Sequence, residues 1–470
     1  MDAMKNLVIL GASGDLASRL LLPGLGTLLT NSTERRISVI GSSQEPDVDF
    51  QQIVTDAFDS VDAYGPAVTY ARENAAYIQC YLTDGESLGD LLSKIDTPAC
   101  LYFALPPQIT MKALEAMAAL ELPEDLLLAL EKPIGFDLDS AEEINAAVAR
   151  PVPEEQTFRV DHFLNLPAVL DFIGLRFANQ VVEPPLNREN VASIEIVFDE
   201  SLGLEGRAAY YDRAGAFRDM IQSHLLQVMS LVMMDPPSVF DHVELPALTA
   251  HVLRSTKIWD DDPSTAVVRG RYTAGELDGR SLPAYTSEDG VDPANETETF
   301  AQVTLEVDTW RWSGVPVTLR SGKAIDSPRQ EMAVTFRRPP HTYSCFGGPS
   351  ALTPNILRIS LDDECFGLDI NLGGPSDQRG LATATARAEV EEPGLESCGG
   401  ALREILDGDP TFSVRGDAAE EGWRIVEDIL DAFGSGAVPL QDYRAGSAGP
   451  TAEKERSGPN TVSTSERRQR

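Results

Sequence analysis

Histidine and lysine are scarce in this chain. Only five of its 470 residues are histidine, and seven of its 38 basic residues are lysine, which leaves 31 arginines. A histidine can exchange a proton near neutral pH, particularly beside a carboxylate that fixes its tautomer. His162, His224, Lys132 and Lys323 lie in motif-like segments and are the first candidates for chemistry.

Long apolar runs are also absent. The longest, residues 126–130 and 225–234, predict a buried strand and a buried helix face, because a membrane span needs about 20 apolar residues. The first residues enter a strand without the charged and apolar regions of an export signal. We therefore expect a cytoplasmic protein without membrane contact. The five cysteines lack metal-binding spacing, and no metal is expected.

Positive charge is in short supply too, since the formal net charge is −36. The long-range field of such a chain repels phosphates, which argues against nucleic acids and anionic membranes as partners. An anionic substrate would have to meet locally placed cations.

Apolar segments and helical patterns alternate along the first part of the chain. A strand at residues 6–10 ends in a glycine turn and is followed by a leucine-rich helix. A further helix is predicted at 110–120, and further strands are predicted at 37–40, 76–79, 101–105 and 126–129. This alternation is typical of a parallel, doubly wound sheet. We predict an α/β Rossmann-like dinucleotide-binding domain over residues 1–160.

The pattern changes after residue 160. A long helix is predicted at 166–179, and strands such as 191–198 and 300–307 are separated by turn-rich connections and helices. We predict an α+β domain with a large, mainly antiparallel sheet over residues 161–444. Residues 445–470 have almost no large apolar side chains and are expected to form a flexible tail.

The first turn contains two glycines, Gly11 and Gly14. Glycines at a strand-to-helix turn let backbone amides approach a diphosphate, and the helix N-terminus adds partial positive charge. A plain tight turn would use glycines as well. For each of the two histidines the alternative is a hydrogen-bonded core residue without a catalytic role.

Taken in order, the motifs along the chain resemble the glucose-6-phosphate dehydrogenase family, of which this sequence would be a divergent member. The resemblance covers the chain from about residue 5 to 450 and rests on the segments 11–17, 102–107, 131–135, 159–164, 175–179, 210–212, 218–227, 297–300, 310–316, 319–323 and 423–426.

The resemblance implies an enzyme that oxidises C1 of glucose 6-phosphate to the lactone, as in the pentose phosphate pathway. His224 would be the general base and Asp161 would orient it. His162 would contact the sugar phosphate, and Glu200 and Asp219 would accept hydrogen bonds from sugar hydroxyls. Lys132 and Lys323 would also contact substrate.

The resemblance also implies NADP as coenzyme and assembly as a homodimer or homotetramer. Lys132 and Gln44 would lie near the coenzyme, and its diphosphate would bind at the turn formed by Gly11, Ala12, Ser13, Gly14, Asp15 and Leu16. Gln44 stands where NADP enzymes commonly place an arginine, and Glu45 adds a negative charge. NAD is therefore a serious alternative, with Arg19 as the nearby cation that favours NADP.

The phosphate pocket departs from the family pattern. Leu166 replaces a family lysine, and a charge-assisted bond to a buried anion is worth about 1.5 to 3 kcal/mol. Pro328 occupies a second position that is commonly basic, although Arg329 follows it. These departures leave two alternatives open: a dehydrogenase of a different or unphosphorylated sugar, and a catalytically silent regulatory paralogue.

Overall fold

The computed structural model describes residues 4–204, 208–343, 346, 352–362, 365–374, 381–390, 394–395 and 397–450. Its first part is a six-stranded parallel sheet in the order β3-β2-β1-β4-β5-β6. The strands are β1 Asn6–Leu10, β2 Ser38–Ser42, β3 Ala76–Tyr77, β4 Ala99–Phe103, β5 Leu126–Glu131 and β6 Thr157–Val160. The helices that connect them are α1 Leu22–Asn31, α2 Phe50–Asp59, α3 Pro66–Glu73, α4 Gly85–Leu92, α5 Pro107–Met117 and α6 Leu138–Val148.

This sheet confirms the predicted Rossmann-like fold. Its central strands are buried along their whole length, as expected for a sheet covered on both faces. Two apolar cores, one on each face, enclose it. Helix α5 begins earlier than predicted, at Pro107, because proline is tolerated in the first turn of a helix, where its missing N–H has no intrahelical partner.

The second part is built on a ten-stranded, mainly antiparallel sheet in the order β17-β16-β15-β14-β7-β13-β12-β9-β18, with β8 paired to β12. Its strands are β7 Val191–Asp199, β8 Thr256–Ile258, β9 Val267–Thr273, β12 Phe300–Val307, β13 Pro316–Gly322, β14 Gln330–Phe336, β15 Ile356–Ser360, β16 Cys365–Leu372, β17 Ala382–Glu389 and β18 Leu440–Arg444. A separate hairpin pairs β10 Gly275–Leu277 with β11 Arg280–Leu282. This sheet confirms the predicted α+β architecture.

The helices of this part are α7 Pro167–Phe177, α8 Ala208–Ala216, α9 Leu226–Met233, α10 Glu244–Arg254, α11 Pro263–Ala266, α12 Ser397–Asp407 and α13 Gly416–Gly434. A π-helical segment, Phe217–Leu225, joins α8 to α9. Helices α7, α9 and α13 contribute to the large core that includes the inner residues of β7 and β12. Among the described residues no helix is both long and apolar enough to cross a bilayer.

The predicted tail begins in ordered structure. The Ala445 amide donates to the Thr273 carbonyl at 3.0 Å, and the Gly446 amide donates to the Ala324 carbonyl at 2.8 Å. Residues 445–450 therefore run along the large sheet, and residues 451–470 lie outside the described part of the chain.

Helix α12 belongs to the second part in sequence but completes the first core. It packs on α1, where a Cβ placed on Gly24 would lie 3.0 Å from Cys398 Cβ. Leu402, Ile405 and Leu406 are buried in the core under β1 and β4. The sequence pattern did not reveal this return, because an amphipathic helix shows that it has a buried face and does not show what covers it.

We expect Ile405→Ala to destabilise the protein by about 2–5 kcal/mol, since it leaves a cavity between α1 and α12. Ile405 is 1% exposed. Urea unfolding measures the effect, with Arg403→Ala on the exposed side of the same helix as the control. Equal midpoints for the two variants would contradict the packing described here.

Candidate active site

The parallel sheet brings several predicted site residues to one edge. Gly11 follows β1, Lys132 follows β5, and Asp161 follows β6. Because β1, β4, β5 and β6 run parallel, their carboxyl ends share this edge, where ligands bind in open α/β sheets.

A hydrogen bond joins the two predicted catalytic residues. His224 lies in the π-helical segment, and its Nδ1 atom is 2.5 Å from Oδ1 of Asp161. The same carboxylate oxygen accepts from the Phe163 amide at 3.0 Å. His224 is 1% exposed and Asp161 is 5% exposed, so water competes little for this bond. π-Helical turns are rare and frequently occur at functional sites.

Aromatic neighbours fix the plane of the His224 ring. Phe163 stacks on it, with ring centroids 4.1 Å apart and planes inclined by 13°. His162 meets the ring at 73°, with centroids 4.8 Å apart. Phe198 of β7 packs on Phe163 in turn. The imidazole is therefore held both by its carboxylate partner and by ring contacts.

Burial keeps both imidazoles neutral at neutral pH. It lowers the pKa of His224, although Asp161 acts in the opposite direction. It also lowers the pKa of His162 to about 4, and the nearby His224 adds to this effect. Burial tends to raise the pKa of Asp161, but the two histidines more than offset it and the net shift is downward. An ionised carboxylate thus faces an uncharged base.

Lys132 and Asp219 form a second pair. Nζ of Lys132 lies 3.0 Å from both Oδ1 and the carbonyl oxygen of Asp219. The Tyr210 hydroxyl donates to the same Oδ1 at 3.1 Å. Burial opposes ionisation of Asp219, yet Lys132, His224 and Lys323 together lower its pKa well below the usual range. The pair therefore lies close to the two histidines, and we call the surroundings of these four side chains the cleft.

Glu200 and Lys323 form a third pair. β7 and β13 are parallel neighbours, so the residues that follow them emerge at the same edge of the large sheet. Nζ of Lys323 lies 2.5 Å from Oε2 of Glu200 and 5.2 Å from the centroid of the Tyr211 ring. The two predicted substrate residues are thus in contact with each other.

The glycine turn is a tight turn packed closely against its neighbours. Gly11 has φ +88°, and a Cβ there would lie 2.5 Å from the Ala104 carbonyl oxygen, so only glycine fits. The amides of Gly11 and Ala12 donate to the Ser42 carbonyl at 2.8 and 3.2 Å, which ties the turn to β2. Gly14, Asp15 and the following π-helical turn Ala17–Leu21 continue it toward α1.

Three side chains of the site satisfy a distance criterion for metal ions. The ligand atoms of Asp161, His162 and His224 lie within 4.8 Å of one another. The His224 and Asp161 side chains are already bonded to each other, and the expectation of no metal stays a prediction.

Comparisons with known proteins agree along the whole chain. The family model described as glucose-6-phosphate dehydrogenase, NAD binding domain, matches residues 8–170, and the model described as the C-terminal domain of the same enzyme matches residues 173–461.

The chain belongs to the glucose-6-phosphate dehydrogenase family. Glucose-6-phosphate 1-dehydrogenase of Gluconobacter oxydans is 36% identical over 94% of each chain. That of Treponema pallidum is 33% identical over 95% of this chain and 92% of its own length. The N-terminal domain of this family member is therefore a nicotinamide dinucleotide-binding domain.

Solved structures agree with the fold. The crystal structure of glucose-6-phosphate 1-dehydrogenase from Mycobacterium avium is 29% identical, covers 95% of both chains and has a TM-score of 0.83. A glucose-6-phosphate dehydrogenase in complex with glucose 6-phosphate is 25% identical, covers 96% of this chain and 97% of its own, and also has a TM-score of 0.83.

Most of the residues that the sequence predicted take part in these contacts in this family member, whereas several of their neighbours were not assigned a role. Phe163, Tyr210 and Tyr211 contact His224, Asp219 and Lys323 respectively. Phe163 stands beside His162 in the sequence, and Tyr210 and Tyr211 lie in one of the segments that carry the resemblance, but these positions do not show which side chains they contact. Gln44 lies exposed after β2, and its carbonyl oxygen accepts from Gln79 Nε2 at 2.8 Å.

We expect His162 to make this protein less stable in acid. Its folded-state pKa of about 4 lies below its ordinary value. The neutral His162 side chain therefore makes its full contribution to the free energy of unfolding above the unfolded-state pKa of about 6.5. This contribution is lost as pH falls, by up to roughly 1.4 kcal/mol per pH unit. Urea midpoints at pH 7 and pH 5 measure it. His162→Gln should lose less stability between these values than the unaltered protein, and an equal loss would contradict the assignment.

Proposed function

We propose that this protein oxidises C1 of glucose 6-phosphate and passes the hydride to a nicotinamide coenzyme, giving 6-phosphogluconolactone. The observation that carries the proposal is the His224–Asp161 hydrogen bond at the sheet edge that also holds the glycine turn. This hydrogen bond supports His224 as a base positioned between a sugar and a coenzyme. The relatives from Gluconobacter oxydans and Treponema pallidum are named glucose-6-phosphate 1-dehydrogenase, after this activity.

His224 acts as the general base in this proposal. Asp161 holds Nδ1, so Nε2 is left to accept the proton of the C1 hydroxyl. The lowered pKa of His224 keeps the ring unprotonated at neutral pH. When the ring takes up the proton, the adjacent carboxylate stabilises the imidazolium. C1 loses a hydride and its hydroxyl loses a proton, which balances the oxidation.

The coenzyme, when bound, accepts the hydride at its nicotinamide ring. The turn Gly11–Leu16 would hold the diphosphate, and Lys132, with its ammonium near His162, would lie between coenzyme and sugar. NADP and NAD share these contacts and differ only at the adenosine ribose. The residues near that ribose therefore decide between them.

The sugar would lie among the paired charges of the cleft. Asp219 and Glu200 offer carboxylate oxygens to hydroxyl groups, while Lys132 and Lys323 donate to the substrate. His162 would contact the phosphate. Because each lysine already has a carboxylate partner, a substrate must exchange these contacts for its own.

The remaining assignments are part of the same proposal. We place the domain boundary near residue 160, where β6 ends and Asp161 begins the helical turn of the site. The wider assignment is a cytoplasmic enzyme of the pentose phosphate pathway. Assembly as a homodimer or homotetramer would use the face of the large sheet opposite its helices.

We expect His224→Asn to lower kcat by about 10²- to 10⁴-fold, since general-base catalysis contributes a factor of this size. The rate of coenzyme reduction with glucose 6-phosphate measures it. His251→Asn, an exposed histidine on α10, is the matched control and should retain full activity. Equal rates for the two variants would contradict the role of His224, and no turnover with any sugar would favour a regulatory paralogue.

A sugar without a phosphate is the second candidate substrate, and Arg329 favours it. The Arg329 guanidinium lies 3.2 Å from Glu331 and 3.6 Å from Glu195. Alternate residues of a strand point to opposite faces, so Glu195 lies on the face away from Phe198, which packs at the site. Arg329 is thus directed away from the cleft and does not replace the cation missing at Pro328.

Leu166 supports the same candidate. It precedes Pro167 at the start of α7 and packs, partly buried, against the large core. An alkyl side chain there gives no charge to a phosphate. His162, whose pKa is about 4, is also neutral at neutral pH.

We expect glucose 6-phosphate to bind more weakly than in a pocket with the missing lysine. Leu166→Lys should lower KM for glucose 6-phosphate by roughly tenfold to a hundredfold and leave KM for glucose little changed. Steady-state kinetics with both sugars measure this. Leu166→Met controls for altered packing. A micromolar KM for the phosphorylated sugar in the unaltered protein would refute the second candidate.

A further inference from the structure

A side-chain contact links the glycine turn to the loop that follows β2. The Ser13 hydroxyl donates to Oε2 of Glu45 at 2.9 Å, and both side chains are exposed. The carboxylate therefore lies over the turn that would hold the diphosphate. In dinucleotide-binding sheets the adenosine ribose occupies this corner, next to the end of the second strand.

Hydrogen bonds from β3 and from the residues that follow β3 hold the loop after β2. The Tyr77 hydroxyl lies 2.7 Å from the Ser43 hydroxyl and also donates to the Glu45 carbonyl oxygen. The Cys80 amide donates to the Ser43 carbonyl at 3.0 Å. Glu45 thus belongs to a loop whose backbone is tied to β3 and to the residues that follow β3.

Glu45 is ionised at neutral pH. The hydroxyl of Ser43, a backbone hydrogen bond of Glu45 itself and the hydroxyl of Ser13 hold the pKa of its carboxyl below the usual value. A carboxylate of this kind accepts a hydrogen bond from a ribose hydroxyl and repels a phosphate.

The residue that could oppose this charge has another partner. Arg19 follows the turn, and its Nε atom lies 3.8 Å from Oδ1 of Asp15, with 71% of its side chain exposed. Gln44, the residue between Ser43 and Glu45, is uncharged. The carboxylate of Asp15 in the turn is thus paired with Arg19, and the carboxylate of Glu45 is bonded to Ser13.

We propose that Glu45 accepts a hydrogen bond from the 2′-hydroxyl of the adenosine ribose and thereby selects NAD over NADP. The acidic residue of the general fingerprint follows the glycines by about 20 residues. Glu45 comes later in the chain, and the pairing of β2 with β1 together with the contact with Ser13 brings it to the equivalent place. The inference rests on the proposed function for the presence of a nicotinamide dinucleotide and is independent of the sugar.

The experiment is a titration of the full-length protein with NADH and with NADPH, followed by coenzyme fluorescence at fixed ionic strength without sugar. We expect NADH to bind roughly tenfold to a hundredfold more tightly, the factor for a charge-assisted hydrogen bond. In Glu45→Gln the two affinities should converge, because the variant keeps the shape and removes the charge.

Glu73→Gln is the matched control, because it removes the same charge at a different place. Glu73 ends α3, just before the chain enters β3 at the amino end of that strand, whereas the coenzyme would bind at the carboxyl ends of the strands. It should keep the preference for NADH. Equal or tighter binding of NADPH by the unaltered protein, no binding of either coenzyme, or an unchanged ratio in Glu45→Gln would each overturn the proposal. If NADPH bound more tightly and Arg19→Ala abolished this, Arg19 would be the selecting residue. Binding without turnover would leave this inference standing while the proposed oxidation failed.

Discussion

The hydrogen bond between His224 and Asp161 is the contact on which the site depends. It connects a π-helical segment of the second part to the residue that follows the last strand of the parallel sheet. A shift between the two parts of the molecule would separate base and carboxylate. The stacked Phe163 ring and the edge contact of His162 hold the same imidazole, so packing and hydrogen bonding act together.

The cleft around this bond contains paired charges. Lys132 meets Asp219 and Lys323 meets Glu200, while the two histidines are uncharged at neutral pH. Such pairs avoid leaving a partly buried charge without a partner, which is costly. They also mean that sugar binding is an exchange of hydrogen bonds between similar partners. In a chain of net charge −36, this arrangement gives an anionic substrate little long-range attraction.

The relative position of the two parts is secured by more than the site itself. Helix α12 returns from the second part to complete the core under the parallel sheet, and the Trp423 indole of α13 donates to the Ile134 carbonyl at 2.6 Å. The guanidinium of Arg159 in β6 donates to Asn145 and Glu154, and the Arg159 backbone amide donates to the Ser413 hydroxyl at 2.9 Å. The geometry of the His224–Asp161 pair is thus maintained by contacts on both sides of it.

The sequence by itself determined the class of the fold and the candidate residues. Hydrophobic periodicity located the strands, because local spacing records which residues face a core. The resemblance of the ordered motifs to a known family named His224, Asp161, Lys132 and the glycine turn. Only the tertiary structure decided which residues contact one another. The return of α12, the direction of Arg329 and the contact of Glu45 with Ser13 all join residues distant in the chain. Such contacts depend on how elements pack, and periodicity within one element carries no information about its neighbour.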